Sequence, residues 1–302
     1  MVLAPSARLG EFVANYVVID EAVTRESPIV ATPVVSLDFL FGDRARVFNQ
    51  RISQTLEVPL TVVRGPQTQR WVDLQPMLHH AAFFVRFEPG GFHRLFGANA
   101  FELTDHCYSG MDVIGPDVGA LHDAIAEAST VRAKARIVET FLLARAAVAR
   151  REETVHRAAR LLTASRGGFN LARLADACRM SGRQFRRHFV RQLGMSPKHY
   201  GKIERFSYAL RLKEQRPCLS WAQVSAESGY FDQMHLVKDC KLLGGAFPTH
   251  LMDIAAMRPL REEPNMTSEA LGPIFIDRPW EPPYRGIQRG RARQSTVVGT
   301  AS

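Results

Sequence analysis

The residues of this 302-residue chain best suited to chemistry are cations set beside apolar stripes. Ser181-Gly-Arg-Gln184 has the form of a capping box, in which the Ser181 hydroxyl accepts from the Gln184 amide while Gln184 reaches back. Phe185, Phe189 and Leu193 follow at i, i+4 and i+8, one apolar stripe. Arg183, Arg186 and Arg187 fall off that stripe, so the outer face of the predicted helix is rich in guanidinium. A guanidinium can hold guanine O6 and N7 bidentately, or a phosphate. Such a face suits a polyanion.

Other reactive types are present without a pattern. His79, His80, His93, His106 and Cys107 invite a metal reading, yet no pair has a tight strand-alternating spacing with a downstream carboxylate. Turn and surface histidines are the plainer account, and no metal or cofactor is expected. There is no nucleophile elbow, P-loop or paired-carboxylate motif, so the chain does not read as an enzyme. Cys107, Cys178, Cys218 and Cys240 lack C-x-x-C spacing, which fits a reducing cytoplasm better than a disulfide framework. No apolar run approaches a membrane span, and residues 1–10 lack a signal-peptide core.

The elements that must position the arginines are predicted from local signals. Asn170 can cap a short helix over residues 171–178, the chain turns at Arg179-Met180, and the capped arginine helix follows. Gly194 ends that helix and Pro197 prevents its return. The layout then recurs: residues 220–228, a Gly229-Tyr230 turn, and residues 232–243, closed by Gly244-Gly245 and Pro248. Between the two units, residues 198–215 place Tyr200, Ile203, Phe206 and Leu210 on one helix face. A helix of about 17 residues spans roughly 26 Å, within reach of the ~34 Å between successive major-groove segments. Phe185, Phe189, Leu193, Leu236 and Trp221 are expected in the core.

Charge follows the same division. Residues 1–150 carry 14 Lys+Arg against 16 Asp+Glu, whereas residues 151–252 carry 18 against 8. The formal excess of +9 therefore belongs to one segment, as a nucleic-acid partner requires. Base composition of a genome could enrich arginine, but not in one half only.

The first 90 residues read as β structure, with strands predicted over residues 12–19, 33–41, 58–63 and 81–87. Phe12, Tyr16, Phe39, Phe41, Phe83, Phe84 and Phe87 are expected mainly as core of a small barrel, with an apolar pocket as the alternative. Helices are predicted over residues 118–128 and 130–150. Val131, Val138 and Leu142 on the second could serve a dimer contact or pack on the chain's own barrel. Domain boundaries fall at residues 1–150, 151–255 and 256–302, the last a proline-rich tail expected to be poorly ordered.

Two stretches carry a family resemblance. Leu174-Ala175, Ser181, Phe185-Arg-Arg-His-Phe189, Gly194-Met-Ser-Pro197, Tyr200, Arg205 and Ala209 resemble the first reading unit and linker of AraC/XylS regulators. Gly229-Tyr-Phe-Asp-Gln-Met-His-Leu, Lys238, Lys241 and Gly245-Ala-Phe-Pro248 resemble the second. Ser225 departs from the family's small alanine, Met234 from a serine and Cys240 from a packed phenylalanine, while Phe231 stands at a polar-cap position. The resemblance implies an α+β protein: a β-rich, cupin-like sensor domain with two trailing helices, then an all-α domain with two helix-turn-helix units. It implies DNA-binding roles for Arg183, Arg186, Arg187, Gln233, Met234 and Lys238, with Lys241 and His199 on phosphates or solvent. Gln suits adenine and Met only an apolar contact such as a thymine methyl. The implied function is bacterial transcription regulation, of the activating kind, on double-stranded promoter DNA. A small-molecule effector, RNA polymerase and a second copy of the chain are the further partners. A metalloenzyme localised by its basic half, or an architectural DNA binder without effector, are the other classes consistent with the residues.

Overall fold

The computed structural model describes residues 1–150, 154–256 and 296–298. The N-terminal half is built on two antiparallel sheets. The strands are β1 (Val2–Leu3), β2 (Val13–Val23), β3 (Ser27–Ile29), β4 (Ser36–Gly42), β5 (Arg46–Asn49), β6 (Gln54–Glu57), β7 (Thr61–Arg64), β8 (Val72–Leu74), β9 (Met77–Phe87), β10 (Cys107–Ser109) and β11 (Thr296–Val298). One sheet has the order β1-β2-β9-β4-β7-β10-β11 and the other β3-β8-β5-β6. The larger sheet is covered on both faces, so its central strands are apolar at successive positions rather than alternate ones. Leu37, Phe39, Val63, Phe83 and Val85 face helices on the outside. Leu40, Val62, Ala82 and Phe84 face the smaller sheet.

The helices over the outer face are α1 (Gly91–Phe96), α2 (Ala100–Leu103), α3 (Gly110–Ile114), α4 (Asp117–Glu127) and α5 (Val131–Ala146). Thr130 caps α5 by accepting from the Ala133 amide at 3.1 Å. Val138 and Leu142 are fully buried against the chain's own sheet. Two of the three residues considered for a dimer contact are thus spent internally, while Val131, at the start of α5, is only half-buried. Phe12, Tyr16, Phe39, Phe83 and Phe87 lie in this outer core and Phe41 packs against it, while Phe84 faces the space between the sheets.

Four strands were expected and the sheets hold more, because β3, β5, β6 and β8 are three or four residues long. The strand expected over residues 58–63 begins only at Thr61. Pro59, which has no amide hydrogen to donate, precedes it instead of joining the ladder.

The C-terminal half is helical: α6 (Thr154–Ala164), α7 (Leu171–Ala177), α8 (Gly182–Leu193), α9 (Pro197–Gln215), α10 (Trp221–Glu227), α11 (Gln233–Asp239), a π-turn over Cys240–Gly244, and α12 (Pro248–Ala256). Phe185, Phe189, Leu193, Tyr200, Ile203, Phe206, Leu236 and Leu243 form one core. The expected boundary between the halves falls at residues 151–153, outside the described residues. So does most of the expected tail, apart from Ala256 and the three residues of β11, which pair with β10.

Candidate nucleic-acid interface and sensor cavity

The first unit is set by its caps. Asn170 Oδ1 accepts from the amides of Ala172 and Arg173, starting α7. The turn after α7 puts Arg179 at φ 53. Ser181 and Gln184 then form the reciprocal capping box of α8. Phe185 and Phe189 are buried, with their rings 5.5 Å apart. The rotation that buries them leaves Arg183, Arg186 and Arg187 exposed on the opposite side.

The second unit repeats the construction. Ser220 and Gln223 make a second capping box, and Gly229 at φ 77 makes the turn. Asp232, not Phe231, caps α11, accepting from the His235 amide at 2.8 Å. Phe231 lies outside the helix and is 92% exposed, which corrects its expected place at the cap. Gln233, Met234, Lys238 and Lys241 are all exposed. Lys241 Nζ sits 4.0 Å over the Phe247 ring, so its stem is held at the surface. The other three departures from the family pattern have consequences. Met234 is solvent-facing; Cys240 is fully buried where the helix widens into the π-turn; and Ser225 is buried with its hydroxyl lacking a hydrogen-bond partner among the described residues.

Between the units α9 runs 19 residues, about 28 Å. Its N-cap Ser196 accepts from His199 N at 3.2 Å. Thr163 of α6 donates to Glu204 at 2.9 Å and lies 3.2 Å from the Tyr200 hydroxyl, so α9 is fastened from inside. Gly167 approaches α9 so closely that a Cβ there would fall 1.9 Å from the Gly201 carbonyl oxygen. His199 faces the N-terminal half. Its Nε2 donates to the Thr68 carbonyl at 2.6 Å, a contact with the N-terminal half. The sequence offered no signal for this partner, since Thr68 lies in a distant loop.

More contacts join the halves. Val30 and Ala31, the residues after β3, are buried in the helical core, and Ala31 N donates to Leu243 O at 2.8 Å. Thr104 Oγ1 donates to the Gly194 carbonyl at 3.0 Å, where α8 ends. Within the N-terminal half, His93 Nδ1 donates to Ala98 O at 2.6 Å, and its Nε2 lies 3.3 Å from Arg150 Nη1. Burial holds the His93 pKa down to about 4 and depresses that of His156 on α6 as well, helped by neighbouring arginines.

Between the two sheets lies a cavity of about 120 Å³, walled mainly by aliphatic side chains with Phe84. Asp38 and Arg64 line it as a buried ion pair 3.0 Å apart, with Cys107 beside them. Burial pushes the Cys107 thiol up to about 12, so it stays protonated and weakly nucleophilic. The other candidate ligands for a metal are dispersed: His79 pairs with Asp20, and His106 Nδ1 bonds the Thr104 carbonyl. Among the described residues no group of three His, Cys, Asp or Glu is placed to hold a metal ion.

A family model described as a helix-turn-helix domain matches residues 174–253, which spans both capped units. Residues 174–253 are an AraC-type helix-turn-helix domain. A second model, described as a domain of unknown function (DUF6597), matches residues 1–109. Among curated proteins no sequence matches the chain. Solved structures of ToxT from Vibrio cholerae are similar in fold. ToxT bound to (E)-4-(8-methylnaphthalen-1-yl)but-3-enoic acid has 8% identity and a TM-score of 0.50, over 79% of this chain and 98% of that one. Wild-type ToxT bound to an unsaturated fatty acid has 9% identity and a TM-score of 0.49, over 79% and 95%. The AraC-type domain thus follows a β-rich domain, and the α+β organisation expected from the resemblance is the one observed. No helix among the described residues is long and apolar enough to cross a membrane.

Proposed function

We propose that the protein is a bacterial cytoplasmic transcription regulator that binds double-stranded promoter DNA sequence-specifically and is modulated by a small molecule in its N-terminal domain. The observation that carries the reading is the duplicated capped unit: two short helices with outward polar and cationic faces, held at the two ends of one stiff helix. Arg183, Arg186 and Arg187 read bases from α8, with Gln233, Met234 and Lys238 reading from α11 and Lys241 on the phosphates. The 18-to-8 cation excess of residues 151–252 supplies the sequence-independent attraction that brings both faces to a duplex.

The effector part of the reading is supported by the cavity, which opens between strands that lead into the helical half. ToxT, with its bound alkenoic acid, is a protein of similar fold that takes a small molecule. Contact with RNA polymerase and pairing with a second copy complete the regulator; the second copy would use the side of α5 turned away from the sheet. The deciding experiment is footprinting of the full chain on its own upstream DNA. Protection of two neighbouring major-groove segments on one side of the duplex is expected. A uniform, unphased pattern would leave only a basic surface and favour the architectural alternative.

A further inference from the structure

We propose that the cavity between the two sheets binds a small, largely apolar, uncharged molecule whose hydroxyl donates to Asp38 Oδ1. The proposal rests on reading the N-terminal half as the effector domain, and specifies the chemistry that half would recognise.

Size and lining set the first limit. A cavity of about 120 Å³ walled by Ile19, Leu40, Val47, Val62 and Phe84 suits one ring or a short branched chain. An apolar cavity of roughly 150 Å³ elsewhere takes benzene. An apolar body is therefore favoured over a sugar or nucleotide, whose many polar groups would go unpaired here.

Asp38 sets the second limit. It is central on β4, in register with Val62 of β7 on one side and Phe84 of β9 on the other, and all three line the cavity. Its side chain is buried, and Oδ2 is taken by Arg64 Nη2. Oδ1 is buried as well and has no hydrogen-bond partner among the described residues. A buried carboxylate oxygen without a donor bears an uncompensated loss of hydration. A donor carried in by a ligand would restore it.

Charge sets the third. Arg64 already neutralises Asp38, and Arg86 faces the same interior from the register position opposite Ser36. Burial raises the Asp38 pKa, while Arg64, a side-chain hydrogen bond with Ser36 and, least, Arg86 lower it. A ligand carboxylate would meet the Asp38 oxygen, and a ligand cation would meet the guanidinium of Arg64. The other charged lining residues, Glu21, Arg25 and His80, have interactions of their own. A neutral donor fits; a second ion of either sign does not.

The test is calorimetric titration of the full chain with four probes of one ring each: phenol, toluene, benzoate and benzylamine. Phenol is expected to bind at least about tenfold more tightly than any of the other three, the ratio typical of a hydrogen bond to a charged group. Val47→Phe, which fills the cavity from β5, should abolish phenol binding. Asp38→Leu with Arg64→Met removes the pair together, an exchange often tolerated because no charge is orphaned; it should bring phenol down to the affinity of toluene. Should that double variant fail to fold, the wild-type series and Val47→Phe decide. Toluene equal to phenol would mean that water serves Asp38, and would overturn the hydroxyl while keeping an effector-binding domain. Benzoate or benzylamine binding tightest, phenol surviving Val47→Phe, or no probe binding would each overturn the proposal. Footprinting on the same preparation reads the DNA-binding function separately.

Discussion

Arg187 lies at the centre of the exposed α8 face, with nothing in the chain required to hold it there but the burial of Phe185 and Phe189 on the other side. Replacing it by Ala should cost about 1–3 kcal/mol at the specific site and relax preference at one base pair, measured by anisotropy on matched duplexes. Unchanged affinity would remove Arg187 from the reading face. Lys241→Ala should act differently: a phosphate contact weakens all sequences alike and lowers the salt slope by about 1. Ser225 offers a test of packing alone. Its buried hydroxyl has no partner among the described residues, so Ser225→Ala should raise stability by roughly 1 kcal/mol in urea unfolding. A loss of stability would show that the hydroxyl is bonded after all. The exposed cations were legible in the sequence because a 3.6-residue apolar stripe fixes which residues must face out. Asp38 was not: Leu37-Asp-Phe39 reads as one apolar strand with an interruption, and only the second sheet reveals that the interruption faces a cavity. The place of His199 was hidden for a similar reason, since its partner Thr68 comes from another domain.

At the scale of elements, the strands that wall the cavity are also those that hold the helix-turn-helix units. β3 contributes Ser27 and Ile29 to the cavity wall, and the next residues, Val30 and Ala31, are buried in the helical core with Ala31 bonded to Leu243. β10 contributes Cys107, and the turn before it bears Thr104, bonded to the carbonyl of Gly194. One connection reaches the second unit and the other reaches the first. Ligand binding that shifts β3 or β10 would change how the two units are presented, which is a coupling free energy in the usual sense. Ala31→Pro removes the amide that Leu243 accepts from. It should leave DNA binding in place while reducing the change in DNA affinity that a cavity ligand produces, read by footprinting with and without ligand. An unaltered ligand effect would exclude this connection. The long strands β2, β4 and β9 and the capped helices were legible because their patterns run for seven residues or more. The short strands β3, β5, β6 and β8 were not, because three or four residues give no period to read; pairing with neighbours defines them.

At the scale of the molecule, the halves meet through buried groups that titrate. His93 and His156 are both buried and held neutral, facing Arg94, Arg150, Arg157, Arg160 and Arg191, with Glu88 near Arg160. A histidine near 6.5 when unfolded and about 4 when folded binds its proton preferentially in the unfolded chain. Stability should therefore fall as pH drops from about 6.5 toward 4 and level off below, with a melting temperature that declines across that window. His93→Gln should flatten the decline; an unchanged slope would assign it to other groups. The division of charge between the halves was visible from composition, and it points to the same conclusion as the duplicated unit. The most direct measurement is fluorescence anisotropy of the full chain on its own upstream promoter DNA and on a scrambled duplex, between 50 and 200 mM salt. Binding that is much tighter to the promoter, and persists there at the higher salt, is the predicted result. Equal affinity for both duplexes, collapsing together as salt rises, would contradict base reading by the two capped units.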